Sequence, residues 1–554
     1  MFEIKIDNMT VTAENGETIL EVARRNHIDI PTLCYLKEIN EVASCRVCVV
    51  EVEGARNLVT SCTTKVREGM VVRTNTEKVL KARKTAVELL LSNHNKKCLS
   101  CAKNTKCTLQ TLSNLFGCDE EKYAGKKIEA KEDHSNGAIV RDASKCILCG
   151  KCAAVCSAIQ GCEAIGKINR GFNTQVGCAF EEELENSSCI GCGQCVLVCP
   201  CGALTQQNNI ADARKFISDP NVKVIAQVAP AVRVAIGEEW DKTLGKFNEG
   251  KMITALRRIG FDAVYDVNVG ADLTIIEEGN ELISRIQKGE NLPMFTSCCP
   301  AWYNYVEKNH PDMVANLSTC KSPNEMLGSL VKHTQKETKV VSIMPCTAKK
   351  REIKRVGDVD VSLTTRELVQ MIKESNIDFP YLEDGKFDTP FGEYTGGGLI
   401  FGSTGGVMEA ALRYAIAKLT GENKVDYTEV RNNAGIKEAS VKAGDLTLNI
   451  AVVHGLANAE RLLEDIKAGK KTYHFVEVMA CPGGCVNGGG QPFVDYDKVC
   501  KETVYGERAK TLYNTDKSMA LRTSDESPVV QDVYANILKN DEKLIHKLLH
   551  VHHD

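Results

Sequence analysis

Cysteine is the residue whose spacing points most directly to chemistry in this chain. Two stretches repeat one pattern, C-x2-C-x2-C-x3-C, and Pro200 follows the second copy. Such a run supplies thiolates to a pair of [4Fe–4S] clusters, and the fourth cysteine of each run ligates the other cluster. The spacing therefore predicts two ligand sets, Cys146, Cys149, Cys152 and Cys199 for one cluster and Cys189, Cys192, Cys195 and Cys156 for the second.

Four earlier cysteines follow a different pattern, C-x10-C-x2-C-x13-C, formed by Cys34, Cys45, Cys48 and Cys62. Three of them fall in a short loop stretch, and the fourth arrives from a later strand. The arrangement resembles that of the plant-type [2Fe–2S] ferredoxins, although the first gap is longer. It predicts one [2Fe–2S] cluster near the N-terminus.

A third group combines an imidazole with three thiols in the order His94-x3-Cys98-x2-Cys101-x5-Cys107. Three thiolates and one imidazole suit tetrahedral zinc or a [4Fe–4S] cluster, and the spacing alone does not choose between them. The neighbouring clusters favour iron. The order of these modules is also similar to the N-terminal part of the iron–sulfur subunit of respiratory complex I, which implies a [4Fe–4S] cluster here.

Composition limits where such a protein works. The chain has 26 cysteines among 554 residues, and a reducing cytoplasm leaves metal binding or redox chemistry as their explanation. A net charge of −4 argues against a nucleic-acid-binding surface and favours a protein partner. No apolar run reaches the length of a membrane span, and the N-terminus lacks a signal-peptide core. We therefore expect a cytoplasmic protein.

The elements that must position these ligands divide the chain. The segments FEIKI and MTVTA alternate like strands, and a helix is predicted from Glu17 to His27, which suits a small β-grasp domain. A second helix is predicted from Thr76 to Ser92, and residues 123–136 form a charged connector. After Asp219, apolar runs such as VKVIAQVAP and TKVVSIMPC alternate with amphipathic segments such as TTRELVQMIKES. That alternation predicts α/β units with largely parallel, buried strands.

The fold class is therefore a multidomain α+β and α/β protein. We predict a plant-type [2Fe–2S] β-grasp domain at 1–78, a small [4Fe–4S] domain with one histidine and three cysteine ligands at 79–122, a bacterial ferredoxin-like domain with two [4Fe–4S] clusters at 137–209, a catalytic domain at 210–499 and a C-terminal segment at 500–554.

Three motifs in the long fourth region carry the remaining clustered cysteines. They are TSCCPAW at 296–302, MPCTAKKRE at 344–352 and EVMACPGGCVNGGGQP at 477–492. Four thiolates from distant segments can ligate one more iron–sulfur cube, and the glycines permit close backbone approach to a bulky cofactor. Together, the motifs resemble the three signatures of the [FeFe] hydrogenases, and the resemblance spans essentially the whole chain.

The resemblance implies a two-lobed α/β catalytic domain that holds an H-cluster, which is a [4Fe–4S] cluster joined to a two-iron unit with CO, cyanide and azadithiolate. The implied ligands are Cys299, Cys346, Cys481 and Cys485, and Cys485 also bridges to the two-iron unit. Around that unit the resemblance places the Lys349 cation, the Met344 and Met479 side chains, and the backbone of Pro230 and Ala231. Residues 500–554 resemble the small-subunit segment of the family.

Cys298 is then an unpaired thiol beside a metal site, and a thiol is a suitable proton donor when its pKa is tuned. The resemblance makes it the proton shuttle, followed outward by Glu278, Ser318, Glu281 and Arg285. Each carboxylate alone could equally be a solvated charge on a helix face. The histidines at 550, 552 and 553 are interpreted as an exposed, frayed tail.

These observations predict an enzyme that combines two protons and two electrons into H2, or runs the reverse reaction, with electrons relayed through three accessory [4Fe–4S] clusters and one [2Fe–2S] cluster. Ferredoxin is one expected partner. We favour a complex with flavin- and NAD(P)-binding subunits, which could bifurcate electrons, over a stand-alone ferredoxin hydrogenase. Hydrogenase maturation proteins are also expected partners.

Two functions of other classes stay open at this level. An iron–sulfur assembly or carrier protein would share the catalytic fold, and a hydrogen sensor would share the cluster. Six cysteines receive no assigned role: Cys118, Cys162, Cys178, Cys201, Cys320 and Cys500.

Overall fold

The computed structural model describes residues 1–432, 434–496 and 499–551. The chain begins with a five-stranded sheet of β1 (Phe2–Ile6), β2 (Met9–Ala13), β3 (Val49–Val52), β4 (Val59–Thr60) and β5 (Val71–Arg73), in the order β2-β1-β5-β3-β4. Helix α1 (Ile19–Arg25) packs on it. Buried and exposed residues alternate along β1 and β2, as the sequence predicts. A capping box between Thr18 and Glu21 starts α1, which is shorter than the predicted helix.

Two helices flank the His94 group of cysteines. Helix α2 (Glu77–Asn93) begins at Thr76, whose side chain accepts a hydrogen bond from the Val79 backbone, and helix α3 (Thr108–Leu115) begins directly after Cys107. The predicted helix from Thr76 to Ser92 is thus confirmed within a residue. His94 and the three cysteines lie in the turn between the two helices.

The repeated cysteine runs form a small unit of short elements. Two antiparallel pairs, β6 (Ile139–Arg141) with β9 (Leu204–Gln206) and β7 (Gly166–Ile168) with β8 (Gln175–Gly177), accompany helices α4 (Lys151–Ala158) and α5 (Gln194–Val198). Each helix follows the second cysteine of a run and carries the third in its first turn. The sequence repeat is therefore also a structural repeat.

The described residues of the second half contain eight strands: β10 (Lys223–Val228), β11 (Ala263–Asp266), β12 (Met294–Phe295), β13 (Thr338–Met344), β14 (Val361–Thr364), β15 (Ile436–Ala443), β16 (Leu446–His454) and β17 (Phe475–Met479). Its helices are α6 (Ile210–Ile217), α7 (Glu249–Ile259), α8 (Val267–Lys288), α9 (Pro300–Asn309), α10 (Pro323–Thr334), α11 (Lys349–Val356), α12 (Thr365–Glu374), α13 (Gly396–Ile400), α14 (Gly406–Thr420), α15 (Leu456–Lys467), α16 (Lys501–Ser518), α17 (Pro528–Asp532) and α18 (Glu542–Leu549).

These strands form two four-stranded sheets. The first has the order β11-β10-β13-β14 and is parallel throughout. The second has the order β12-β17-β16-β15, with parallel pairs except for the β15–β16 hairpin. The prediction of largely parallel, buried strands is confirmed. The cysteines of all three signature motifs follow the carboxyl ends of parallel strands, β12, β13 and β17, which is where sites form in such sheets.

A buried ionic network fastens α16 to α14. The Arg413 guanidinium donates to both carboxylate oxygens of Asp516, at 2.9 and 2.8 Å, and to Glu409 at 2.7 Å, and all three side chains are fully buried. Removing one member of such a network leaves buried charges less well compensated, although Arg431 also pairs with Glu409 and Arg522 with Asp516.

We expect Arg413→Met to cost about 3–5 kcal/mol locally, because two buried carboxylates lose their fully buried cation and keep only the partly buried Arg431 and Arg522. Hydrogen exchange followed by mass spectrometry should show reduced protection of the α14 and α16 amides, while the N-terminal sheet keeps its protection. Unchanged protection of α16 would mean that the network does not hold this helix.

The C-terminus corrects one expectation. His550 does not belong to a frayed tail: its ring lies 2.9 Å from Thr319 Oγ1 and 3.1 Å from Glu277 Oε2, and it stacks on His546. A backbone bridge to Cys320 and a Val551 N–H donated to the Thr319 carbonyl hold the segment down. His552 and His553 lie outside the described residues.

In the ranges that the structure describes, no helix combines the length and the apolar character needed to cross a bilayer.

Candidate metal-cluster site and proton path

A buried cavity lies where the three signature motifs meet. Its volume is about 80 Å³, and thiols from four separate segments line its wall. They are Cys298 and Cys299 after β12, Cys346 after β13, Cys481 and Cys485 after β17, and Cys192 from the second repeated run. The fold therefore brings together the four predicted cluster ligands and the predicted proton shuttle.

Tight backbone contacts shape this wall. Gly484 has a φ of +94°, a conformation that side chains with a Cβ rarely adopt, and a Cβ there would lie 2.6 Å from the Thr404 nitrogen. The third motif can therefore reach the cavity only with glycine at this position.

The donor set fits an iron–sulfur group. Burial raises the pKa of the Cys346 thiol to about 11 and raises the pKa of Cys298, Cys481 and Cys485 as well. Lys349 is the one cationic side chain on the cavity wall among the described residues. Several thiolates can exist here only if a metal supplies positive charge, and soft thiolates suit iron clusters.

The thiols are spread over the cavity wall. In residues 1–432, 434–496 and 499–551, no three His, Cys, Asp or Glu side chains converge closely enough to hold a single metal ion.

Lys349 is held by a carboxylate that the sequence reasoning missed. Its ammonium donates to Glu352 Oε1 and Oε2, at 2.8 and 2.7 Å, and to the Cys298 carbonyl at 3.3 Å. Burial disfavours the charged ammonium, but Glu352 outweighs it and raises the pKa of Lys349. Glu352 stands in the second motif three residues after Lys349, so helical spacing was the signal that could have found it.

The remaining predicted contacts also lie on the wall. Met344, Met479, Pro230 and Ala231 line the cavity. The Ala231 carbonyl accepts a hydrogen bond of 2.8 Å from the Gln491 amide, which ties the loop after β10 to the third motif. The side chain of Ala231 is a methyl group, which cannot donate a hydrogen bond as a hydroxyl could.

From Cys298, buried polar groups lead away from the cavity. After the burial effect, the Glu278 carboxyl is the strongest charged influence on the Cys298 thiol. Glu278 is fully buried, accepts a 3.4 Å hydrogen bond from the Ser297 N–H, and leaves Oε2 without a partner in the described part of the chain. Burial, with the Glu281 carboxylate adding to it, raises the pKa of Glu278 to about 8. The carboxyl is therefore protonated at neutral pH.

The outer half of the path is continuous. The Ser318 hydroxyl donates to Glu281 Oε2 at 2.9 Å, and Arg285 Nη2 donates to Glu281 Oε1 at 2.6 Å. Glu278, Glu281 and Arg285 share one face of α8 because three- and four-residue spacing stacks side chains on a helix. The side chains of Glu281 and Arg285 are 15% and 11% exposed, so the path reaches the surface there.

The repeated runs enclose two further cavities. Cys146, Cys149, Cys152 and Cys199 line one of about 20 Å³, and Cys156, Cys189, Cys192 and Cys195 line another of about 30 Å³. The structure thus groups the cysteines as the crossed pattern predicts. Cys201 also lines the first cavity and Cys162 the second, although the sequence reasoning assigned them no role.

The thiols of the predicted [2Fe–2S] group lie close together, and the His94 group offers an unpaired ring nitrogen. Cys48 and Cys62 approach to 3.3 Å between their sulfur atoms, the thiols of Cys34 and Cys45 contact each other, and all four are buried. His94 is buried, and its Nδ1 has no hydrogen-bond partner among the described residues. An unpaired buried ring nitrogen is costly and suits a metal ligand.

The second repeated run packs directly on the signature loops. The Thr347 hydroxyl donates to the Gly191 carbonyl at 2.7 Å, and the Gln194 amide donates to the Asn487 carbonyl at 2.9 Å. Cys192 lines both its own cavity and the large one. The two cysteine sites are therefore immediate neighbours.

The fold and the site define a class: a multidomain, mixed α/β oxidoreductase with several iron–sulfur sites. Comparison with known sequences agrees. Residues 222–489 match the family described as "Iron only hydrogenase large subunit, C-terminal domain", and residues 502–554 match "Iron hydrogenase small subunit". Residues 1–77 match a 2Fe–2S iron–sulfur cluster binding domain, residues 83–122 match the "NADH-ubiquinone oxidoreductase-G iron-sulfur binding region", and residues 183–205 match a 4Fe–4S binding domain.

Two curated relatives match over essentially the whole chain. The NADP-reducing hydrogenase subunit HndD of Solidesulfovibrio fructosivorans is 46% identical, with 100% of this chain and 99% of the relative covered. Iron hydrogenase 1 of Clostridium pasteurianum is 39% identical, with 99% of both covered. A solved [FeFe]-hydrogenase from Chlamydomonas reinhardtii is 36% identical, with a TM-score of 0.54, covering 63% of this chain and 99% of that structure.

The chain therefore belongs to the [FeFe], or iron-only, hydrogenases. It is an oxidoreductase with an H-cluster domain and additional 2Fe–2S and 4Fe–4S binding domains. The assembly-factor alternative has weaker support, because a cytosolic iron–sulfur assembly component of Pongo abelii is 29% identical and matches 63% of this chain.

Proposed function

We propose that this chain is the catalytic subunit that interconverts protons and H2 in the cavity between the three signature motifs. One observation carries the proposal: four thiols from three strand ends line one cavity, and a fifth thiol there leads into a buried path of carboxyl and hydroxyl groups.

In this proposal Cys299, Cys346, Cys481 and Cys485 would hold the [4Fe–4S] part of the H-cluster, and Cys485 would also be the link to the two-iron unit. When bound, the H-cluster supplies the open iron site and the pendant amine at which protons and electrons combine. Lys349, kept charged and oriented by Glu352, would offer its ammonium to a cyanide ligand of the bound cluster. Met344, Met479, Pro230 and Ala231 exclude water from the wall.

The chain's own residues move the proton. Glu281, oriented by Arg285, takes up the proton at the surface. The Ser318 hydroxyl then turns to accept this proton from Glu281 and gives its own proton inward. Glu278, protonated at neutral pH, carries it across the dry interior, and the Cys298 thiol delivers it at the cavity wall. The hydrogen bonds support the order of the outer groups, and the electrostatic influence of Glu278 on Cys298 supports the inner step.

Electrons reach the cavity through three accessory [4Fe–4S] clusters and one [2Fe–2S] cluster. The crossed cysteine cavities, the His94 group and the Cys34–Cys62 group support this assignment. The finer domain descriptions belong to the same proposal: a β-grasp domain, a domain with one histidine and three cysteine ligands, a bacterial ferredoxin-like domain and a two-lobed catalytic domain, with the boundaries predicted above. The last cluster before the active site is the one on Cys189, Cys192, Cys195 and Cys156, because Cys192 also lines the large cavity.

The relatives support an assignment of the electron partner. An NADP-reducing hydrogenase subunit aligns with the whole chain, and residues 83–122 match a region of NADH-ubiquinone oxidoreductase. We therefore assign the chain to a multisubunit, NAD(P)-linked complex with flavin-binding subunits. Ferredoxin is the second electron carrier of that complex, and maturation proteins install the H-cluster in the cytoplasm.

The test is anaerobic purification of the complex from its native host. Flavin- and NAD(P)-binding subunits should co-purify, and the complex should evolve H2 with reduced viologen and with NADPH or NADH. H2 evolution with viologen and ferredoxin but never with a pyridine nucleotide would instead support the alternative, a stand-alone ferredoxin hydrogenase. No H2 evolution from a preparation with a complete H-cluster would refute the proposed activity.

The raised pKa of Glu278 makes a separate prediction. Below about pH 8 the carboxyl holds a proton that it can pass to Cys298, and above that it is ionised. H2 evolution with saturating reduced viologen should therefore fall as the pH rises through about 8. Glu278→Gln should lower the rate by about 10²- to 10⁴-fold, because the amide cannot exchange its proton in this way.

Glu277→Gln is the matched control. Glu277 is the preceding residue on α8, but its carboxylate contacts Tyr534 and His550 rather than Ser318. This variant should keep most of the activity. Equal losses in the two variants would show that the Glu278 effect is one of charge or stability and not of proton transfer.

A further inference from the structure

Two buried cations share one aromatic ring at the junction of three cysteine-bearing segments. The Lys103 ammonium lies 3.0 Å from the centre of the Phe493 ring, and the Arg366 guanidinium carbon lies 4.5 Å from the same centre. Lys103 is 4% exposed. We call Lys103, Phe493 and Arg366 the cation stack.

Arg366 is fixed in place by the third motif. Its guanidinium donates to the Gln491 and Gly489 carbonyls, at 2.5 and 2.7 Å, and to the Gln206 side chain at 2.8 Å. All three acceptors are neutral. The stack therefore joins the signature loop after β17 to strand β9 of the repeated cysteine unit without neutralising Arg366.

Lys103 stands between two ligand groups. It lies between Cys101 and Cys107 in the sequence, and this loop packs on the segment after Cys199: the Thr108 N–H donates to the Pro200 carbonyl at 2.9 Å. A Cβ on Gly202 would lie 2.4 Å from Cys101 Sγ and 3.6 Å from the Lys103 Cβ. The His94 group and the first cavity of the repeated unit thus meet at Lys103.

Cysteine thiols supply the negative charge near Lys103. Burial is the largest influence and, together with Arg366, lowers the pKa of Lys103, while the thiols of Cys199, Cys107 and Cys201 favour its charged form. A buried ammonium is costly unless it is paired. Cluster-bound cysteines carry that negative charge, and the charge grows by one unit when a cluster accepts an electron.

We propose that the cation stack is an electrostatic relay that raises the reduction potentials of the two [4Fe–4S] clusters on either side of it, the one at His94–Cys107 and the one at Cys146, Cys149, Cys152 and Cys199. A fixed cation in a low-dielectric interior stabilises the reduced, more negative state of a nearby cluster. One electron leaves one cluster, which is oxidised, and enters the other, which is reduced. The inference rests on the proposed function, because the assignment of these clusters belongs to it.

The test is a redox titration of the complete, matured enzyme, followed by electron paramagnetic resonance. In Lys103→Gln the midpoint potentials of two [4Fe–4S] signals should become more negative, while the [2Fe–2S] signal stays in place because its ligands lie in another module. Lys103→Arg should keep both midpoint potentials close to those of the wild type, because it keeps the positive charge. Phe493→Leu should shift the signals less than Lys103→Gln, because both cations remain.

Normal cluster spectra with unchanged potentials in Lys103→Gln would overturn the inference. If that variant does not assemble its clusters, Arg366→Gln decides: a shift in the same direction supports the relay, and an unshifted titration overturns it. H2 evolution with reduced viologen is measured on the same wild-type preparation. Its absence would refute the proposed function, whereas normal H2 evolution with unshifted potentials refutes the relay alone.

Discussion

Cys298→Ala is expected to lower H2 evolution by about 10²- to 10⁴-fold while the iron content and cluster spectra stay intact. The thiol lines the cavity, and the buried Glu278 carboxyl is its strongest charged neighbour. An alanine methyl cannot carry a proton between them. Because Cys299 and not Cys298 is the assigned cluster ligand, the loss should affect turnover and not assembly.

Two further variants separate proton transfer from packing. Cys298→Asp places an exchangeable proton at the same position and should recover part of the rate. Cys320→Ala is the matched control, because Cys320 is a buried thiol 3.9 Å from Glu281 Oε2 but lies away from the cavity wall. It should keep nearly the whole rate. Near-normal turnover in Cys298→Ala would remove this thiol from the mechanism.

Cys485→Ser is expected to abolish H2 evolution, because it removes the sulfur assigned as the bridge to the two-iron unit. A hydroxyl is a harder and much less acidic ligand than a thiol, so it holds iron poorly in a buried site. The infrared bands of CO and cyanide should be lost from the purified protein. The accessory cluster signals should persist, since their ligands lie in residues 34–107 and 146–199.

The control for this variant is Cys500→Ser. Cys500 follows the third motif, but its side chain is exposed and its sulfur contacts Thr503. This change should leave the infrared bands and the activity as they are. Unaltered CO and cyanide bands in Cys485→Ser would contradict the assignment of Cys485.

Sequence spacing predicted which cysteines of the repeated runs lie together, because short loops restrict where a thiol can be. Cys146 and Cys199 are far apart in sequence, yet the crossed pattern places them on one cavity, and the structure groups them there. The sequence could also predict the strand ends before Cys298, Cys346 and Cys481, because alternating apolar and amphipathic segments indicate parallel sheets.

Contacts that depend on tertiary packing could not be predicted from the sequence. Glu352 lies in a signature motif, but its pairing with Lys349 needs both side chains to turn into the same buried site. Lys103 and Phe493 are almost four hundred residues apart, and nothing in their local sequence indicates that they meet. His550 was misjudged for the same reason, because backbone pairing with residues 319–320 holds it against the protein.

The central claim is that iron sits in the cavity formed by Cys299, Cys346, Cys481 and Cys485. Crystals of the anaerobically matured enzyme, measured at the iron absorption edge, would locate every iron atom by anomalous scattering. We expect iron within bonding distance of all four sulfur atoms, with further iron beyond Cys485 on the side of Cys298 and Lys349. Iron at the accessory sites but none among these four thiols would contradict the account.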